Sequence, residues 1–187
     1  MHNPAMAQEL TTSYLKEVTD NFRRYKRLAE QAMQQVPDEA LTVSIDPESN
    51  SIATIVKHLS GNMHSRWTDF LTTDGEKPNR NRDGEFESPP QSRAEITAAW
   101  ESGWKLLFAA LASLTEDDLD RTVTIRTEPH SVLQAISRHI AHCTYHIGQI
   151  VFLAKHLTHD RWKTLSVPRG KSADYNARVA SGQASRF

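Results

Sequence analysis

The sequence predicts an all-α protein, a four-helix bundle with a long crossover between its second and third helices. Four segments of the 187-residue chain repeat apolar residues at steps of three and four, the spacing of one helix face. A polar stretch from Thr72 to Gln91, broken by prolines, separates the second segment from the third. The length is typical of one domain, so we expect a single domain over residues 1–187.

The first two helices are predicted from about Ala7 to Gln35 and from about Ile52 to Leu71. Pro37 ends the first, because proline cannot continue a helix, and Ser51 is expected to cap the second. The apolar positions of the first helix are Leu10, Tyr14, Val18, Phe22, Tyr25, Ala29 and Ala32. Those of the second are Ile52, Ile55, Leu59, Met63 and Phe70.

The stretch from Thr72 to Gln91 has two explanations. A loop this long is uncommon in a compact domain unless it serves a function. A bundle with a crossover also requires a long connection to carry the chain from one end to the other. The sequence favours neither explanation over the other.

The third and fourth helices begin with clear capping signals. Ser92 and Glu95 form a capping box before the third helix. Ser131 is expected to cap the fourth helix, which runs to about Leu157. The apolar positions of the third helix are Ile96, Trp100, Trp104, Leu107, Phe108 and Leu111.

Smaller elements are predicted between and after these helices. Thr115 to Leu119 fits a short helical turn, and the alternation in Arg121 to Thr127 fits a short hairpin arm. From about residue 160 we expect an irregular C-terminal tail lying on the bundle.

The composition excludes several classes of protein. Lysine and arginine number 22 against 23 aspartates and glutamates, so there is no electrostatic footprint for nucleic acid. The sequence contains no run of about 18 apolar residues, so we predict no membrane span. The N-terminus lacks the apolar core of a secretory signal. A single cysteine, Cys143, excludes an internal disulfide. We therefore expect a cytoplasmic protein.

Histidine is the residue type that points to chemistry. Five of the nine histidines lie in the fourth helix or just before it. Within RHIAHCTYHIGQI, His142 and His146 are four residues apart and project from one face, so they can share a metal ion. His139 and Gln149 lie about one turn to either side on the same face, where they are candidates to support the ligands.

A histidine pair on one helix requires a third ligand from another element. His58 in IVKHLSGN borders the apolar stripe of the second helix, with Asn62 one turn along. His64 falls about 240° round the helix and should face solvent. Three neutral imidazoles suit zinc, nickel, copper or ferrous iron and leave positions open for water or substrate. Their nitrogens must approach within about 4 Å, because metal–nitrogen bonds are about 2.0–2.1 Å long.

These residues also have structural interpretations. A buried histidine is usually a hydrogen-bonded core residue, and helical histidine pairs also occur on ordinary surfaces. His139 is either such a satisfied residue or a support for the ligands, and Cys143 is expected to be a small buried hydrophobe. Arg66, predicted near the inward face of its helix, requires a carboxylate partner. We favour a structural ion pair there over an anion site near the metal.

The segments around these histidines resemble the DinB-like (DinB/YfiT-like) family of metal-binding four-helix bundles. That family has one histidine on its second helix and two on its last long helix, in an H-x-x-x-H-x-G-Q pattern. This chain has KHLSGN around His58 and HCTYHIGQI from His142 to Ile150, including Gly148 and Gln149. The segments SRWTDFLTTDGEKPNRNRDGEF and WKTLSVPRGKS are similar to the DUF1572 subgroup of bacterial proteins of unknown function.

The resemblance implies a metal site formed by His58, His142 and His146, a long connection between helices two and three, and a homodimer. Characterised members include thiol-dependent transferases and isomerases that activate a low-molecular-weight thiol such as bacillithiol or mycothiol. We expect one divalent ion, zinc or nickel first with iron as a further candidate, and a small thiol or other small molecule as substrate. Neither nucleic acid nor a membrane is expected as a partner.

Two functions are consistent with these features. The first is a metal-dependent transferase or hydrolase, in which Asn62 or Gln149 orients a bound group and His139 is the one candidate general base. The second is a non-catalytic metal-binding or stress-response protein. An open metal site favours the first, and a fourth protein ligand or a sealed site favours the second. A helical module without metal would require His58 to lie far from the helical pair.

Overall fold

The computed structural model describes residues 4–184, and the side chains of residues 14–184. This part of the chain is mostly helical, with a small two-stranded sheet. The helices are α1 (Pro4–Met33), α2 (Ile52–Trp67), α3 (Arg93–Ser113), α4 (Val132–Thr158) and α5 (Ser172–Ala180). The strands are β1 (Thr122–Ile125) and β2 (Glu128–Ser131). None of the helices in the described part is both long and apolar enough to cross a membrane.

Capping side chains fix where three of the helices begin. The Ser51 side chain accepts a hydrogen bond from the Thr54 backbone at the start of α2. Ser92 and Ser131 form complete capping boxes at the starts of α3 and α4. Each arrangement satisfies backbone N–H groups that have no partner within the helix. The predicted starts are therefore confirmed.

The first two helices end earlier than predicted. The α1 helix ends at Met33, two residues before Gln35. The α2 helix ends at Trp67 rather than at Leu71, because Thr68 is extended and Asp69 has a positive φ of 47°. The segment between α2 and α3 therefore starts earlier than expected, and it contains a short 3₁₀ turn at Asp83–Glu85.

The long helices pack through their apolar faces. The most extensive pairs are α2 with α3 and α1 with α4, and α2 also contacts α4. Fully buried side chains from all four include Phe22, Leu59, Trp104, Ile136 and Ile147. Burying each such side chain contributes about 1.5–3 kcal/mol. The side chain of Leu10, predicted in the α1 stripe, lies outside the described residues. This packing holds α2 beside α4, which decides the position of the histidines.

The prediction of an irregular tail from about residue 160 is wrong over part of its length. The segment Ser172–Ala180 forms helix α5, after a short 3₁₀ turn at His159–Arg161. The sequence SADYNARVA contains three alanines and no glycine or proline, which favours a helix locally. No residue of α5 is fully buried. Tyr175 and Val179, four residues apart, are half-buried, but two such positions are too few to predict a helix from periodicity.

The predicted hairpin arm is confirmed as the antiparallel pair of β1 and β2. Its two turn residues, Arg126 and Thr127, have positive φ values of 56° and 66°, although neither is glycine. The carboxylate of Asp74 accepts hydrogen bonds from their backbone N–H groups at 2.9 and 2.8 Å. A third hydrogen bond, from the Glu76 backbone, has the largest effect on the ionisation of Asp74. Together the three bonds lower the pKa of Asp74 to about 2. The turn is thus fastened to the segment that follows α2.

Candidate metal centre

The histidines selected from two separate helices come together. His58 lies on α2, and His142 and His146 lie one turn apart on α4. One ring nitrogen from each of the three histidines lies within 4.8 Å of the chosen nitrogens of the other two. The Nε2 atoms of His58 and His142 are 3.2 Å apart. That pair meets the expected limit of about 4 Å. The ligand atoms of the whole trio lie within 4.8 Å, so the convergence of all three within about 4 Å stays a prediction. His64 is exposed, as predicted.

Two of the three imidazoles are held through their Nδ1 atoms. The Nδ1–H of His58 donates to Oε2 of Glu85 at 2.8 Å. The Nδ1–H of His146 donates to Oε1 of Gln149, also at 2.8 Å. A proton fixed on Nδ1 leaves Nε2 with a free lone pair, which is the form that binds metals. Gln149 therefore orients a histidine, in the place where the sequence led us to expect a supporting residue.

Two buried polar atoms beside these rings have no partner within the described residues. They are Nδ1 of His142 and Oδ1 of Asn62. Buried polar groups normally form hydrogen bonds, because an unpaired group costs about 1–3 kcal/mol. Unpaired atoms at this position indicate a site that a bound group completes.

The ionisation of the α4 histidines also suits a metal. Burial, with smaller effects of His146 and His58, lowers the pKa of His142 to about 3. Burial lowers the pKa of His146 as well, although its hydrogen bond to Gln149 acts in the opposite direction. Both rings are therefore neutral near pH 7, and a metal ion does not have to compete with formation of the imidazolium cation.

Glu85 is the residue that the sequence analysis missed. It lies in the segment between α2 and α3, and its side chain is almost completely buried. Arg80 donates to both of its oxygens, from Nε at 2.7 Å and from Nη2 at 2.9 Å. Burial raises the pKa of Glu85, but the hydrogen bonds from His58 and Arg80 outweigh it and lower the pKa overall. The carboxylate is thus ionised against His58.

The long segment after α2 therefore contributes side chains to the site, which agrees with the explanation that a loop of this length serves a function. Besides Glu85, it supplies Phe86, whose ring stacks on that of His58 with the centroids 4.7 Å apart. The charged run NRNRDGEF is the one signal in the sequence for this role. It does not reveal which carboxylate turns inward.

His139 and Cys143 lie next to the trio in a fully buried position. The Nε2 atom of His139 is 3.3 Å from Sγ of Cys143, and these two with His142 form a second group with ligand atoms within 4.8 Å. Burial lowers the pKa of His139 well below its usual value and raises the pKa of Cys143 above its usual range. Cys143 is therefore a protonated, buried thiol, as predicted, and thiols bind metals as thiolates.

The trio opens into a pocket of about 450 Å³. Its lining includes the three imidazoles, Asn62 and Gln149, together with several arginines. Arg66 is one of them, and it forms the expected ion pair, with Glu76 at 3.1 Å. The volume is within the range of small-molecule sites. The site is open on one side, and no fourth ligand closes the trio within the described residues.

We expect the substitution Glu85→Gln to weaken zinc binding about 10- to 100-fold, the usual effect of losing a partner of a ligating histidine. The amide keeps the shape of the side chain but lacks the charge that holds His58. A competition titration with a chelator measures the affinity. Glu87→Gln is the matched control, because Glu87 lies in the same segment and is exposed. Equal affinities for the two variants would contradict a role for Glu85.

Gly61→Ala tests the same contact from the other side. A Cβ atom at Gly61 would lie 2.6 Å from Oε1 and 2.8 Å from Cδ of Glu85. Because Arg80 and His58 hold the carboxylate, the new methyl group must displace it from His58, and zinc binding should weaken as in Glu85→Gln. Gly148→Ala, whose Cβ would meet no atom within 4 Å, should keep the wild-type affinity.

A family model with the description "Protein of unknown function (DUF1572)" matches residues 9–171, more than half of the chain. No curated protein matches it.

Proposed function

Because the chain belongs to the DUF1572 family, whose description assigns no activity, we propose a function from the site itself. The protein binds one divalent metal ion through His58, His142 and His146. Zinc and nickel are the first candidates and ferrous iron the next, since imidazole suits all three. The observation that carries the proposal is the convergence of three imidazoles from two helices at the base of a pocket.

The residues present fit such an ion. The two Nδ1–H groups of His58 and His146 are engaged, so their Nε2 lone pairs are available. Nδ1 of His142 and Oδ1 of Asn62 lack partners within the described residues. When bound, a divalent cation supplies a Lewis acid that lowers the pKa of a thiol or of water.

We propose that the activity is that of a metal-dependent transferase or hydrolase acting on a small molecule, with a low-molecular-weight thiol as the proposed nucleophile. Asn62 is placed to orient a bound group through its unpaired oxygen, and Gln149 keeps His146 in the metal-binding tautomer.

One observation favours a non-catalytic metal-binding or stress-response role instead. His139, the one candidate general base, lines the pocket but is only 5% exposed, and its Nε2 contacts Sγ of Cys143. A general base must reach the proton that it removes. Because Cys143 occupies Nε2 of His139, that nitrogen is not available to remove a proton from a molecule bound at the trio. A non-catalytic site needs no such base.

We also propose the finer architecture that the resemblance implies. It is a single DinB-like domain, a four-helix bundle with a crossover between α2 and α3, which forms a homodimer in the cytoplasm. The packing of α2 on α3 and of α1 on α4 supports the bundle. Light scattering of the purified protein tests the dimer.

Elemental analysis of protein purified without a nickel column tests the metal site. We expect about one equivalent of a divalent metal per chain, or its uptake on adding zinc, nickel or ferrous iron. Protein that contains no metal and takes up none of the three would overturn the proposed function. It would leave a helical protein whose histidines are structural.

A further inference from the structure

The pocket above the histidines is lined by an unusual amount of positive charge. Its lining includes Arg66, Arg80, Arg82, Arg126 and Arg138, and it includes no aspartate or glutamate within the described residues. The whole chain has a net charge of −1. The excess of arginine is therefore local to this pocket.

Three of the five arginines share the nearest carboxylates. Glu76 pairs with Arg66, Arg80 and Arg126, each at 3.1 Å. Glu85 pairs with Arg80 at 2.7 Å and also with His58. Two carboxylates thus pair with three guanidinium groups, and the ionised carboxylate of Asp74, which binds the backbone of Arg126, supplies a third negative charge beside them. The side chains of Arg66 and Arg80 are only 12% and 4% exposed, so solvent screens them weakly.

The other two arginines supply the excess of positive charge. Arg82 approaches Asp83 only to 4.0 Å, is about half exposed, and lies over the ring of Phe86. Arg138 is exposed, and within residues 14–184 no carboxylate lies at ion-pair distance from it. Its Nη1 is 3.4 Å from Nε2 of His130. A structural ion pair explains Arg66 and Arg80, but it does not explain Arg138.

We propose that this pocket binds a small molecule through a carboxylate or phosphate group, held by the arginines that line it and above all by Arg138, which has no carboxylate partner within the described residues. The planar guanidinium forms paired hydrogen bonds with both kinds of oxyanion. A pocket of one sign of charge also concentrates ligands of the opposite sign. This inference rests on the proposed function in one respect: the part of the substrate that reacts would lie near the metal. The oxyanion is bound by the chain's own residues.

Isothermal titration of metal-free protein at low ionic strength tests this independently of the metal. The probes are succinate, inorganic phosphate and the neutral diamide succinamide. We expect succinate or phosphate to bind at least about tenfold more tightly than succinamide, as one charge-assisted hydrogen bond would give. The stronger of the two anions is the probe used for the variants.

Arg138→Gln should weaken binding of that anion about tenfold, whereas Arg169→Gln should leave it unchanged. Arg169 is the matched control, because it is exposed and does not line the pocket. Circular dichroism confirms that both variants fold. The inference is overturned if neither anion binds more tightly than succinamide, or if the two variants bind equally. Anion binding by a protein that takes up no metal would overturn the metal site and support the oxyanion site.

Discussion

Replacing His142 by alanine is expected to remove the bound metal, with zinc affinity falling by more than about 100-fold. Loss of a partner behind a ligand costs about 10- to 100-fold, and loss of a ligand itself costs more. The Nε2 of His142 is 3.2 Å from that of His58, so its removal leaves two ligands on different helices. Elemental analysis and chelator competition give the stoichiometry and the affinity.

His156→Ala is the matched control for this experiment. His156 lies on the same helix, is exposed, and does not line the pocket. The control removes one imidazole, so it corrects for weak binding at surface histidines. If both variants retain the wild-type stoichiometry, His142 is not a ligand.

Metal-free protein is expected to lose about 1.5–3 kcal/mol of unfolding free energy between about pH 7.5 and pH 5.5. Burial keeps the pKa of His139 well below its usual value and that of His142 at about 3, so both are neutral in the folded state over this range. In the unfolded state both take up a proton below about pH 6.5. The contribution of these two histidines to the free energy of unfolding is therefore fully present above that pH. It is lost as the pH falls towards their pKa values in the folded protein. Each histidine contributes about 1.4 kcal/mol at one pH unit below its unfolded pKa.

Urea unfolding with a chelator present, at the two pH values, measures this loss. The range stays above about pH 5, where carboxylates such as Asp74 begin to lose their own contribution. His139→Gln should lower stability at both pH values but reduce the difference between them by about 1.4 kcal/mol. His156→Gln should keep the wild-type difference. A wild-type protein equally stable at both pH values would show that the buried histidines take up protons while folded.

Local chemistry made several elements predictable. The serines at positions 51, 92 and 131 satisfy backbone groups within three residues, so the sequence alone contains both partners of each hydrogen bond. The pair His142 and His146 is equally local, because helix geometry sets its direction. His58 was predictable because its side chain borders an apolar stripe that must face the core.

The contacts that escaped prediction depend on tertiary structure. Glu85 is 27 residues from His58 and lies in a segment without periodicity. Nothing near it in sequence distinguishes it from Glu87, which is exposed. The packing of the segment after α2 decides which carboxylate is buried. The α5 helix was missed because most of its residues are exposed and only Tyr175 and Val179 are half-buried, so its apolar pattern is short.

The tip of the hairpin connects folding to ligand specificity. A two-residue turn of this kind is formed most easily by Asn-Gly or Asp-Gly, and a left-handed conformation costs other residues about 1–2 kcal/mol. This chain accepts that cost at Arg126, the residue whose side chain lines the pocket. Engineering the turn for greater thermal stability would therefore remove an arginine from the recognition surface. Optimising the hairpin and preserving substrate selectivity are conflicting objectives at this position.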